Sequence, residues 1–439
     1  MKGVYLFAGL ATLLTAACNF DVTNPNSPEP IGSNPSRPQV AAAVTGLLIG
    51  ARNDAADWNL DVGIIGREGY RFDGSDPRFT AELLTGFLDP GSGAFGGDHW
   101  FEYYQTIRSA NTLLGVIGSA GSLTSAEQSG TMGIARTIKA LEFLYVVNGH
   151  TQDSIPIAVE APITAAPAPF VTNAAALAYI TALLDSAVTD LQAGGATFAF
   201  SLSGGFSGFN TPATFIKFNR ALKARVELYR GNFANVMTAL GQSFIDTLTT
   251  ALDFGVYHVY STGSGDNTNT LSQNPTTGEN FAHPSQSDSA QLQPGGAKDQ
   301  RFLDKTIPRS STTVAGLTSA LGWIRYPSPG SSIPIVKNEE LILIRAEANI
   351  GLGNLNEATD DINYVRMNGG GLDPISVPGN STTAINAMLY ERRYSLLYEG
   401  HRWVDLRRLG RLNQLPLDRA GDLVYTTFPI PSDEVNARQ

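Results

Sequence analysis

Apolar residues recur at helical spacing along most of this chain, and the clearest run begins at Glu339. Leu341, Ile344, Ala348 and Leu352 share one helical face. Gly351-Leu-Gly-Asn354 breaks the period where a helix hairpin needs a turn. Leu355, Ala358, Ile362 and Val365 then open a second face. The small side chains of Ala346, Ala348 and Ala358 let two helix backbones approach closely. Two paired helices of this kind, over Glu339–Arg366, are the unit of tetratricopeptide-type repeats.

The same pattern occurs earlier. Aligning Gly231-Asn232-Phe233 with Gly353-Asn354-Leu355 places Ala224 on Ala346, Val226 on Ala348, Val236 on Ala358 and Leu240 on Ile362. Thr214–Leu240 is therefore predicted to be a second hairpin. Ser125–Asn148 reads as a long helix capped by Thr124 or Ser125, and Asn173–Gln192 as another, with Leu177, Ile180, Leu184, Val188 and Leu191 on one face. These two are looser partners, giving about four hairpins that stack into a curved scaffold.

Helices are also predicted over Val40–Asn59 and His99–Ile117, with Trp100 and Tyr104 as core. Between them, Ile64–Glu82 mixes Arg67, Glu68, Arg71, Asp73, Asp76 and Arg78 with Tyr70 and Phe72. This density of charge reads as a loop locked onto a helix, with the lining of a polar pocket as the alternative. Thr85–Gly97 is a Gly-rich loop containing Phe87 and Phe95. Ile155–Pro169, with four prolines, is extended. Thr250–Pro334 lacks helical period and is rich in Gly, Ser, Asn, Thr and Pro, with short strands predicted at Val256–Tyr260 and Thr318–Tyr326. Long insertions in a repeat scaffold emerge on one side and often carry binding.

Lys2, the apolar run Val4–Leu14 and then Thr15-Ala-Ala-Cys18 look like a lipoprotein signal, with cleavage before Cys18 and acylation of its thiol and new amino terminus. Thr15 stands where leucine is commoner. Cys18 is the chain's one cysteine, so no internal disulfide exists. Burying acyl chains contributes roughly 0.8 kcal/mol per methylene, so more than one chain anchors a protein stably. The expected division is residues 1–17 as signal, 18–38 as lipid anchor and flexible tether, and 39–439 as a single domain. That domain would hold helical hairpins at about 125–240 and 338–411 and a loop-rich insertion at about 250–334. Beyond the N-terminal segment no apolar run reads as long enough to span a bilayer. Charged residues are 16% of the 439, and the net charge of −10 leaves no basic stripe for nucleic acid.

After Tyr390 the charges become motifs. Glu391, Arg392, Arg393, Glu399, Arg402, Asp405, Arg407 and Arg408 surround Leu396, Leu397 and Trp403. At helical spacing such acids and bases form bidentate pairs that fix helix ends, and the reading favoured is a structural ion-pair network. The stretch resembles the C-terminal signature of the SusD/RagB family of outer-membrane nutrient-binding lipoproteins. The matching residues are Leu343-Ile-Arg-Ala-Glu-Ala348 with Gly353-Asn354, Glu391-Arg-Arg393 with Glu399-Gly-His-Arg-Trp403, Asp405-Leu-Arg-Arg408, and Phe428-Pro-Ile-Pro431 with Glu434. The resemblance implies a mainly α fold, with a tetratricopeptide-like helical-hairpin scaffold and a loop-rich lobe. It also implies a lipid-anchored receptor (palmitate, with Cys18 as the lipidated residue) exposed at the surface of the outer membrane. Such a receptor captures glycans or oligosaccharides and passes them to a SusC-like TonB-dependent barrel. Some relatives take peptides, and a repeat scaffold that binds only protein is the other alternative.

Catalytic signatures are missing. There is no Gly-rich phosphate loop, no His-Glu-x-x-His and no Gly-x-Ser-x-Gly elbow. The five histidines (His99, His150, His258, His283, His401) show no metal spacing, and His401 reads as structural. Asp266-Asn-Thr-Asn269 is oxygen-rich but lacks an acidic partner at calcium-loop spacing. No metal, cofactor or catalysis is expected. A glycan binder needs aromatic faces on loops, because sugar C–H faces pack on rings while polar groups take the hydroxyls. Loop context selects Trp323 and Tyr326 first, then Phe95, Tyr257 and Tyr260.

Overall fold

The computed structural model describes residues 31–91, 93–150, 155–162 and 164–439. The signal, Cys18 and the first part of the tether lie outside the described residues. The end of the tether is docked: Gly121 N donates to Asn34 Oδ1 at 3.0 Å and Ser122 Oγ to the Pro35 carbonyl at 3.2 Å.

The helices are α1 (Arg37–Gly50), α2 (Ala55–Ile65), α3 (Phe95–Ile117), α4 (Ser125–Gly149), α5 (Asn173–Gln192), α6 (Pro212–Tyr229), α7 (Phe233–Gly241), α8 (Pro284–Asp288), α9 (Gln300–Lys305), α10 (Asn338–Leu352), α11 (Leu355–Gly370), α12 (Ser381–Ser395), α13 (Arg402–Arg408) and α14 (Ser432–Asn436). The predicted helix over 40–59 is two helices, α1 and α2, which stop and restart around Asp54. Asp54, the N-cap of α2, is held in an ion pair. Its carboxylate takes His99 Nδ1 at 2.8 Å while Asp61 takes Nε2 at 3.2 Å. Both ring nitrogens therefore donate. Burial opposes the imidazolium, but the two carboxylates outweigh it and raise its pKa well above the usual value. At this same residue α3 kinks (ψ 41°).

Capping follows the sequence closely. Thr124 and Glu127 form a reciprocal capping box at the start of α4. The α6–α7 and α10–α11 hairpins repeat in backbone detail. Gly231 and Gly353 end their first helices at φ 72° and 83°, left-handed conformations that glycine adopts without strain. Asn232 and Asn354 then sit at (−89°, 67°) and (−85°, 69°). Their amides donate to the Glu227 and Asn349 carbonyls at 2.9 and 2.8 Å. All eight aligned positions, Ala224 to Leu240 and Ala346 to Ile362, are buried. Leu352, expected on the apolar face, is instead 45% exposed, because the helix unwinds at Gly353 immediately after it. The hairpins also pack on one another: a Cβ on Gly351 of α10 would meet the Phe233 ring of α7 at 2.2 Å.

The strands are β1 (Gly69–Arg71), β2 (Ile155–Pro156), β3 (Phe170–Val171), β4 (Gly255–His258), β5 (Asn280–Ala282), β6 (Thr306–Val314), β7 (Leu317–Trp323) and β8 (Ile333–Lys337). The insertion supplies β5, β6 and β7 to an antiparallel sheet of order β1-β5-β7-β6, with Tyr70 opposite Phe281 and Ile307 opposite Gly322. β4 pairs with β8, which leads directly into α10. One core lies among α1, α3–α7 and α10, and a second joins α2 and the sheet to the C-terminal motif. Among the described residues α5 is long and apolar enough to cross a membrane, contrary to the expectation that no apolar run beyond the N-terminal segment would be. Ala176, Leu177, Ile180, Leu184 and Leu191 of α5 belong to the first core.

Candidate functional site

The charged motifs are a structural lattice. Glu391 receives Arg301 at 2.7 Å and Arg366 at 3.1 Å, and Asp405 receives Arg392 at 2.6 Å and Arg408 at 2.9 Å. Arg408 reaches on to Glu347 of α10 at 2.6 Å. Glu399 takes Arg325 from the insertion at 2.9 Å and Lys337 from β8 at 3.0 Å. Burial opposes ionisation of Glu399, but Lys337 and Arg325 outweigh it and hold the carboxyl at about 2. Arg67, in the charge-dense loop, is fully buried and donates to the Ile65, Pro416 and Leu423 carbonyls, which is the locked-loop reading. Burial lowers the His401 imidazole to about 4, keeping it neutral. A basin of about 520 Å³ opens beside this lattice, lined by Arg301, Lys305, Arg325 and Lys337. Three of those cations already face Asp299, Glu339, Glu391 or Glu399.

Loop context misjudged the first two aromatic candidates. Trp323 and Tyr326 are 5% and 2% exposed, so neither ring presents a face to a ligand. Trp323 stacks on Tyr398, and Tyr326 donates to the Tyr398 carbonyl at 2.8 Å. The strand predicted over Thr318–Tyr326 forms as β7 (Leu317–Trp323), and Trp323 and Tyr326 turn inward against Tyr398 of the C-terminal motif. Tyr260 is also buried, under the Arg52 guanidinium and donating to the Arg52 carbonyl at 3.2 Å. Tyr257 is half-buried and lines a cavity between α1 and the β4–β8 pair.

Phe95, at the start of α3, is buried too, at 8% exposure. Its ring packs on Phe79 at 4.7 Å. Arg78 covers Phe95 and Arg71 covers Phe79, each guanidinium 4.8 Å from the ring centroid. Arg78 is half-exposed and forks onto Asp76 at 2.7 and 2.9 Å. From the adjoining loop Leu83, Leu84 and Leu88 turn inward, whereas Phe87 is 76% exposed. Tyr425 ties this loop down by donating to the Glu82 carbonyl at 2.6 Å. Phe87 offers an exposed apolar face on the loop that follows the Arg71–Asp73 and Arg78–Asp76 forks in sequence. Phe87 stands four residues after Leu83, in phase with the buried leucines, so no spacing in the sequence singles it out over Phe95.

No groups of His, Cys, Asp and Glu suited to a metal occur among the described residues. In the oxygen-rich run, Asp266 pairs with Arg52, and Asn269 donates to the Ser331 carbonyl at 2.8 Å.

The sequence model of the SusD family matches residues 334–437, from β8 through the ion-pair lattice to α14. No curated protein matches this chain. Solved structures do, along nearly its whole length. A SusD-like carbohydrate-binding protein from Bacteroides fragilis aligns at TM-score 0.70 and 15% identity, over 92% of this chain and 98% of its own. A SusD superfamily protein from Bacteroides vulgatus aligns at 0.70 and 18%, over 92% and 97%. A laminarin-binding SusD-like protein aligns at 0.65 and 16%, over 92% and 98%. The fold is the SusD-like fold, a helical-hairpin scaffold bearing a loop-rich lobe. The resemblance to the SusD/RagB family read from the motifs holds in both sequence pattern and architecture.

Proposed function

We propose that this protein is a cell-surface glycan receptor, anchored to the outer membrane by lipid on Cys18. It captures oligosaccharides without breaking them and passes them to a SusC-like TonB-dependent barrel. The observation that carries this reading is the SusD-like fold over 92% of the chain, shared with a laminarin-binding and a carbohydrate-binding protein. The loop face at Phe87, with Arg71, Asp76 and Arg78, is the proposed glycan platform. It replaces Trp323 and Tyr326 in that role, since those rings are buried. The helical-hairpin side is left to face the barrel.

Electrophoresis through gels containing laminarin, starch, xylan or mannan tests the platform. Retardation by at least one polymer is expected, and Phe87→Ala should abolish most of it. Retardation unchanged in Phe87→Ala moves the site elsewhere. For the anchor, Cys18→Ala should release the protein from the membrane fraction, and unchanged membrane association would refute acylation.

A further inference from the structure

We propose that the basin beside the ion-pair lattice binds a small monocarboxylate, a singly charged acid with a short apolar body, through Lys305. The basin lies between α9, the end of α11 and the segment before β4. It shares no lining residue with the loop face at Phe87, and it stands whether or not polymers bind there.

The basin has a volume of about 520 Å³. Ala251, Leu252 and Phe254 give it an apolar side, and Phe254 is 45% exposed. The charges behind it do not balance. Arg301 pairs with Asp299 at 2.6 Å and Glu391 at 2.7 Å, and Arg366 shares Glu391 at 3.1 Å. Lys337 pairs with Glu339 and Glu399 at 3.0 Å, and Arg325 shares Glu399 at 2.9 Å. With Lys305, five cations therefore face four carboxylates.

Lys305 is the lining cation that forms no ion pair among the described residues. It is half-buried at the end of α9. An ammonium carries three N–H donors. Two of them go to the Tyr394 and Ser395 carbonyls at 2.7 and 2.6 Å, where α12 ends. Those neutral acceptors fix the side chain and leave its charge unanswered. Burial, aided by the Lys337 charge, lowers the amine to about 7. Two further carboxylates stand at the rim, Asp253 and Asp304, and both are exposed to water. Asp253 lies 3.7 Å from Lys337, and Asp304 accepts from Gln300 at 2.8 Å. Solvent screens such exposed charges.

These facts select the ligand class. One unanswered positive charge calls for one negative charge. A dianion would meet Asp253 and Asp304 at the rim with no second unpaired cation to offset them. A carboxylate accepts the third N–H of Lys305 in a charge-assisted bond, and its apolar body lies along Leu252 and Phe254. The anion favours the ammonium form, so binding raises the Lys305 pKa. Affinity is then full below about 7 and is lost as pH rises through that value. The groups facing Lys305 do not share this titration. The carboxyls of Glu399 and Glu339 are held low by Lys337, while their charges raise Lys337, Arg325 and Arg301.

The test is calorimetry on the purified protein at pH 6 and pH 9, titrated with acetate, butyrate and benzoate, and with sulfate as the dianion. Saturable binding of butyrate or benzoate is expected at pH 6, weaker by about tenfold or more at pH 9. Lys305→Met should abolish it. Lys305→Arg, charged at both pH values, should keep it and remove the pH dependence. Nitrogen-15 lysine NMR reads the site in the unaltered protein, where the bound acid should move the Lys305 titration upward. No saturable binding of any monocarboxylate at pH 6 overturns the proposal. So does equal affinity at the two pH values, tighter binding of sulfate, or full binding in Lys305→Met. Loss of polymer retardation in Phe87→Ala with benzoate still bound would separate the two sites.

Discussion

The Trp323 indole lies flat on the Tyr398 ring, with centroids 3.6 Å apart and planes 12° apart. Tyr398 also donates to the Glu68 carbonyl at 2.9 Å. One stacked pair thus joins the insertion, the N-terminal β1 region and the C-terminal motif. Trp323→Ala should cost about 3–5 kcal/mol of stability, the range for truncating a buried aromatic. Urea unfolding measures it. Loss of glycan binding with unchanged stability would return Trp323 to the role of a ligand platform.

Glu399 answers two cations from different parts of the chain, the buried Lys337 and the part-buried Arg325. Removing its charge strands both, and breaking a buried pair typically costs about 3–5 kcal/mol. Glu399→Gln should therefore be strongly destabilised at pH 7. Its folded pKa is depressed, so its contribution is present above the ordinary carboxylate range and is lost as pH falls through about 2. The gap between wild type and Glu399→Gln should narrow as pH falls from 5 towards 2. Equal melting curves at pH 7 would contradict the lattice.

Glu68 behaves oppositely. Burial raises its carboxyl to about 8, its Oε1 accepts from Tyr398 N at 3.2 Å, and its Oε2 has no partner. The fold favours the protonated acid. That contribution is fully present below about 4.5 and is lost as pH rises through about 8. Glu68→Gln, neutral at every pH, should gain stability relative to wild type between pH 5 and 9. Chemical denaturation at pH 5, 7 and 9 reads the difference, and parallel profiles would refute it.

Gly351 and Phe233 test the stacking of the hairpins. Gly351→Ala forces a methyl into the Phe233 ring and should cost about 1–3 kcal/mol, as overpacking does. Phe233→Leu should recover part of that loss in the double variant, measured by thermal unfolding. Strict additivity of the two changes would mean that the hairpins do not press together there.

The helical half of the fold was legible because its signals are local. Thr124 with Glu127, Thr172 before α5, and the paired Gly-Asn turns each set a boundary within a few residues. The sheet was not. β1 finds β5 more than 200 residues away, and three-residue strands such as Asn280–Ala282 carry no periodicity. For the same reason Trp323 reads as a loop aromatic until its partner Tyr398 is known. Lys305 and Lys337 likewise share a basin that no sequence spacing announces.

The central claim is capture of glycan without cleavage. Isothermal calorimetry of the purified protein against laminarin oligosaccharides, maltooligosaccharides, xylooligosaccharides and mannooligosaccharides tests it most directly, with reducing ends assayed in the same samples. The account predicts saturable binding of at least one series, weakened at least tenfold by Phe87→Ala, with no new reducing ends. Binding of none, or release of reducing ends that depends on a single carboxylate, would contradict it.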